Sequence, residues 1–198
     1  MSYAKAMSGM VVVALALAGP AAAQDRAVNL FVRSGGYSAL TDLNDAGTAD
    51  FNKVGLNVGG GVSVDLNRYV SLRGDFTFGR NELRLEDADT GDELDRFFYD
   101  ASLQLRYPFD GGLTPYLFVG AGGVTVDPVG VDEDSQTEAA ATWGLGVGYT
   151  FPASGLGVFV EGRGWAFGMK KLDGMLVSYD KTQAEVAYSA GLSYRLPF

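Results

Sequence analysis

Eight stretches of this chain carry apolar residues at every second position, and a period of two is the signature of a strand. They run approximately over 27–37, 52–64, 69–80, 96–107, 115–126, 138–151, 156–167 and 183–196. Each is near the ~9–11 residues of a tilted strand crossing a bilayer. In the third, Val70, Leu72, Phe76 and Phe78 oppose Ser71, Arg73, Asp75 and Thr77. In the fourth, Phe97, Tyr99, Ala101, Leu103, Leu105 and Tyr107 oppose Phe98, Asp100, Ser102, Gln104 and Arg106. The sixth sets Ala139, Ala141, Trp143, Leu145, Val147 and Tyr149 against Ala140, Thr142, Gly144, Gly146 and Gly148. No stretch holds the roughly 20 apolar residues of a spanning helix. If such a chain enters a membrane, its strands must close on themselves, because lipid offers no partner to an open sheet edge.

Two strands are less regular. The fifth is apolar at every position of Tyr116-Leu-Phe-Val119 before reaching Gly120-Ala-Gly-Gly123. In the seventh, Phe159, Trp165 and Phe167 share a face with Glu161 and Arg163, so turning the charges inward turns three aromatics inward too. A bulge there would shift the register.

The connections alternate in length. Asp65–Arg68, Pro108–Thr114 and Pro152–Gly155 are short and rich in turn-forming residues. The segments 38–51, 81–95, 127–137 and 168–182 are longer and polar. Short turns on one side and long loops on the other is the plan of outer-membrane barrels, with the short turns periplasmic. An even strand count places both termini on that side as well. The first residues read as a cleavable signal peptide, 1–23, with Lys5 as its positive start and Met10–Gly19 as its apolar run. Pro20 and Ala21-Ala22-Ala23 then supply the small residues for cleavage before Gln24. Residues 24–198 are then one barrel domain.

Composition removes whole classes of chemistry. The chain has no cysteine and no histidine, so Ser–His–Asp and Cys–His catalysis and His- or Cys-ligated zinc are excluded. Its net charge of −9, with Lys5 the only charge in the leader, argues against nucleic acid as a partner. Carboxylate pairs remain for acid–base work, and Asp75, Asp100, Glu161 and Glu185 are the candidates. The same faces carry Arg33, Arg73, Arg106, Arg163 and Arg195. A barrel of eight strands is only wide enough for side chains to fill, so these charges are expected to form a lumenal ion-pair network. No cofactor is expected. The run Asp87-Ala-Asp89-Thr-Gly-Asp-Glu93 resembles part of an acidic calcium loop, without the third ligand before its glycine or the closing Glu.

A soluble lipocalin-like barrel would turn its apolar face inward around a ligand. Against that, the polar faces here are built from small residues suited to a narrow lumen. Aromatics also gather at strand ends, at Tyr69, Tyr107, Phe109, Tyr149, Phe151, Tyr194 and Phe198, where an interfacial girdle belongs.

The stretch Thr114-Pro-Tyr-Leu-Phe-Val-Gly-Ala-Gly-Gly-Val124 resembles the "PY-x-x-x-G-x-G" strand of the small OmpX/opacity-type outer-membrane barrels. The ending Gly191-x-x-Tyr194-x-Leu196-x-Phe198 is similar to that family's closing strand and insertion signal. The resemblance implies an all-β, eight-stranded antiparallel up-and-down transmembrane β-barrel in the outer membrane. It implies contact with outer-membrane lipid and lipopolysaccharide, and with the barrel-assembly machinery during insertion. No periplasmic peptidoglycan-binding domain of the larger OmpA pattern is expected. Activity is then non-catalytic, with an extracellular partner for the acidic loops. A narrow pore for small or amphipathic solutes, as in OmpW-type barrels, is the alternative, and a periplasmic ligand-binding barrel the next.

Overall fold

The computed structural model describes residues 27–40, 49–51, 54–85, 88–129, 135–168 and 182–197. The proposed leader and Phe198 lie outside them. The strands are β1 (Ala27–Ala39), β2 (Ala49–Phe51), β3 (Gly55–Asp65), β4 (Val70–Leu85) and β5 (Ala88–Arg106). They continue as β6 (Leu113–Val129), β7 (Gln136–Thr150), β8 (Leu156–Gly168) and β9 (Thr182–Pro197). Eight of them pair antiparallel with their chain neighbours, and β1 pairs with β9, so the sheet closes with no open edge at its waist. The three-residue β2 is an addition, paired with the top of β4 over Leu83–Leu85.

The alternation decides which face goes where. Leu145 is 69 % exposed, and Val32, Val119 and Leu192 are each 61 % exposed, all on the outer face. Arg33, Arg73, Asp75, Asp100, Glu161 and Arg163 are buried inside. This distribution is inverted relative to a soluble domain, so the periplasmic ligand-binding alternative fails: its apolar face would be the buried one. Tyr69 stacks near Tyr107, Tyr107 meets Phe109 edge-on and Tyr149 meets Phe151, forming a girdle at the short-turn end. Phe76, Tyr99, Trp143 and Tyr188 make a second band higher up. Eight residues of strand tilted at ~40° rise about 20 Å, close to the ~25 Å apolar band of such barrels.

The turns at the girdle end are tight for identifiable reasons. The Asn67 side-chain oxygen accepts hydrogen bonds from the Tyr69 and Val70 amides at 2.8 and 2.9 Å. Gly112 has φ +96°, and a Cβ there would lie 2.4 Å from the Thr150 carbonyl oxygen. Only glycine fits.

Elsewhere the glycines make room for rings. Inside, an aromatic on one strand lies over the glycine directly opposite it on the next: Phe118 over Gly144, Tyr116 over Gly146, Phe159 over Gly191, Phe31 over Gly61. Outside, Tyr99 covers Gly123, Trp143 covers Gly164 and Tyr188 covers Gly36 in the same way. A bare glycine strand is otherwise weak; the ring across it restores contact.

The expected long loop at 81–95 is not a loop. β4 continues to Leu85 and β5 starts at Ala88, with Arg84 opposite Asp89 and a register shift between Glu82 and Arg84. A solvated hairpin above the membrane needs no apolar face, so its polarity concealed its strands. In β8 the register with β7 and with β9 is unbroken, without the alternative bulge. Phe159, Trp165 and Phe167 all point inward with Glu161 and Arg163.

Candidate functional site

The charged residues of the lumen separate into three tiers. The central one is built from four strands: Arg33 on β1, Arg73 and Asp75 on β4, Asp100 on β5, Glu161 and Arg163 on β8. Asp75 receives Arg33 at 2.6 Å, Arg73 at 2.8 Å and Arg163 at 2.9 Å. Glu161 receives Arg73 at 2.6 Å and Arg163 at 3.4 Å, and accepts a hydrogen bond from the Tyr116 hydroxyl at 2.9 Å. Arg33 also donates to the Thr77 hydroxyl at 2.6 Å.

The wall explains how these groups meet. Arg33 must cross β3 to reach β4, and β3 is Gly59-Gly60-Gly61 at that height; a Cβ on Gly59 would stand 3.3 Å from the Arg33 guanidinium. Asp75 and Asp100 are direct cross-strand partners, an unfavourable pairing of like charges. Arg163 spans them, with Nη2 at 2.9 Å from Asp75 and Nη1 at 3.1 Å from Asp100. The Arg73 guanidinium lies 4.4 Å from the Phe31 ring centre and 4.7 Å from that of Phe118, a sandwich favourable to a desolvated cation. The Arg163 guanidinium lies 4.6 Å from the Phe118 ring centre. Three cations face three anions, and every charge in the tier is hydrogen-bonded or ion-paired.

Above this cluster Glu185 meets Arg96 at 3.2 Å and accepts a hydrogen bond from the Tyr37 hydroxyl. Trp165 stacks on Phe98 with 4.3 Å between ring centres, and Phe167 and Tyr37 pack at 6.0 and 6.1 Å from Phe98. Below the cluster, Asp65 takes Arg106 at 2.7 Å, Arg195 at 3.1 Å and the Asn29 amide at 3.2 Å.

The nine lumenal charges expected from sequence are therefore all inward but not one network. Six form the central tier, Glu185 belongs to the upper one, and Arg106 and Arg195 to the lower. Two members were missed. Arg96 has the same parity as Phe98 and Asp100, a signal obscured because it stands at the expected strand start. Asp65 has the parity of Ser63 but looks like a turn residue. The four candidate acids all have arginine partners, and their side chains are buried.

Gly191 lies inward beneath Phe159, while Tyr194 and Leu196 face outward. Asp89 and Glu93 lie on β5; Asp87 and these two side chains fall outside the described residues. No group of three potential metal ligands occurs among the described residues.

A closed antiparallel barrel with an apolar outer belt, aromatic girdles and a charged interior is an integral outer-membrane β-barrel. Residues 10–163 match the family described as outer membrane protein beta-barrel domain, and the chain belongs to that family. No curated protein sequence matches it. Among solved structures it is similar to Neisserial surface protein A, with 16 % identity over 89 % of this chain and 100 % of that one, at TM-score 0.60. It is similar to OprG from Pseudomonas aeruginosa, with 13 % identity over 90 % and 100 % of the chains, at TM-score 0.56. A third is Ail of Yersinia pestis, solved with the heparin analogue sucrose octasulfate: 12 % identity, 87 % and 100 % covered, TM-score 0.55. At these identities the likeness is one of fold.

Proposed function

We propose that this outer-membrane barrel is a sealed, non-catalytic scaffold that acts through its extracellular surface rather than through its lumen. The observation that carries this reading is the central tier: six interlocked charges with side chains at most 3 % exposed fill the cross-section. A hydrated solute needs a continuous aqueous path, and eight strands leave none once side chains fill the interior. The stack of Tyr37, Phe98, Trp165 and Phe167 closes the same path a second time. The acidic segments 81–95 and 127–137 then present the interacting surface, sharing divalent cations with lipopolysaccharide head groups or meeting a protein partner.

Planar-bilayer recordings of the purified barrel test this. Membranes whose conductance stays at baseline are expected; reproducible unitary steps would favour the pore reading instead. Two further assignments accompany it. Gly191, Tyr194, Leu196 and Phe198 form the recognition strand for the barrel-assembly machinery, so deletion of Phe198 lowers the amount of folded, heat-modifiable protein; unchanged amounts would remove that role. Mass spectrometry of the exported protein is expected to find Gln24 at its start, and a retained leader would refute cleavage.

A further inference from the structure

We propose that the periplasmic mouth of the barrel is a binding site for a small soluble oxyanion of the phosphate class, with Arg195 as its main ligand. Among the described residues the lower tier sets two guanidiniums against one carboxylate. Asp65 gives Oδ1 to Arg106 and Oδ2 to Arg195, and its side chain is wholly buried. The central tier above is balanced, three against three, so it does not compensate the surplus positive charge.

The two arginines differ in how much of their bonding is used. Arg106 is committed: Nη1 to Asp65, Nε to the Arg68 carbonyl at 3.2 Å and Nη2 to the Asn67 carbonyl at 3.1 Å. It holds the β3–β4 turn. Among the described residues Arg195 makes a single polar side-chain contact, through Nη2, to Asp65, and its side chain is 41 % exposed. A guanidinium has five N–H donors, so most of those on Arg195 remain for a ligand.

A cavity of about 100 Å³ opens beside it. Its wall includes Ser63, Gln104, Thr114 and Ser193, with Arg73 deeper in, and no carboxylate lines it. Hydroxyls, an amide and a guanidinium with donors to spare around a space of this size suit a tetrahedral oxyanion, which takes several donors at once. The strands separate this space from both leaflets. A lipid head group would have to leave the bilayer to enter, which favours inorganic phosphate or a small phosphate ester from the periplasm.

The test is a titration of the full barrel in zwitterionic micelles, at constant ionic strength, followed by phosphorus NMR line width. Inorganic phosphate is one probe and short-chain dihexanoyl phosphatidylglycerol the other. Saturable broadening of the inorganic phosphate signal is expected, with a Kd on the order of 1 mM. Arg195→Gln should weaken it about tenfold, the loss of one charge-assisted contact, while leaving the boiling-induced gel shift unchanged. Asp65→Asn removes the competing carboxylate and should tighten binding, a change of opposite sign that a merely structural role would not produce. The Arg195 variant decides the matter even where the Asp65 variant folds poorly, because Arg195 is the less buried partner. No saturable broadening, or broadening that survives Arg195→Gln, overturns the site. Binding of the lipid probe alone overturns the soluble source.

Discussion

Replacing Arg73 by alanine is the sharpest test of how this barrel is held together. Arg73 is bonded to Asp75 at 2.8 Å and to Glu161 at 2.6 Å, and its guanidinium is sandwiched between Phe31 and Phe118. Its removal leaves two cations against three anions in a space closed to water. At an effective dielectric near 20, unit charges 4 Å apart interact by about 4 kcal/mol before desolvation is considered. Breaking a buried pair by removing one partner costs about 3–5 kcal/mol, and loss of the ring sandwich adds roughly 1 kcal/mol. With a urea dependence of about 2 kcal/mol per molar, the unfolding midpoint of the barrel in vesicles should fall by roughly 2–3 M. Glu161→Ala should fall comparably. The double variant Arg73→Ala/Glu161→Ala restores balance at two against two, so it should lose less than the two single changes combined, with a coupling of about 1–3 kcal/mol. A midpoint unmoved by either alanine variant, or a double variant that loses the full sum, would refute the network as a source of stability.

Gly144→Val places a Cβ 2.3 Å from the Phe118 ring and 2.6 Å from the Gly162 carbonyl. It should lower the temperature at which the folded gel band disappears, at a cost of about 1–3 kcal/mol. Leu145→Lys, on the lipid face one residue later, should destabilise by about 2–4 kcal/mol in vesicles by urea titration. If Asp87, Asp89 and Glu93 hold calcium, adding it to purified barrel should raise the melting temperature; an unchanged temperature dismisses that site.

Much of the fold was readable because the membrane enforces the alternation: between girdles an outward residue has to be apolar, as Leu30, Val32, Val119 and Leu145 are. Above the girdle that constraint ends, and the β4–β5 hairpin became indistinguishable from a loop. The inward face obeys a weaker rule, since Phe98, Phe118 and Trp165 are as suitable there as arginine. The charges of the lumen could therefore be identified by parity, but not their partners. That Asp75 and Asp100 share an arginine from β8 depends on the curvature and stagger of the closed sheet. The division into three tiers has the same origin. Arg106 and Arg195 meet at Asp65 because their strands end at the same height, which no local pattern encodes.

The central tier also bears on how the wall assembles. Its anions stand on β4, β5 and β8 and its cations on β1, β4 and β8, so no hairpin contains a complete set. A sheet that has inserted only β3 to β6 carries Asp75 and Asp100 side by side without Arg33 or Arg163. Such an intermediate gains little by entering lipid early. The counter-charges stand on β1 and β8, which meet through β9, so the tier is complete only in the closed ring and its burial is tied to closure.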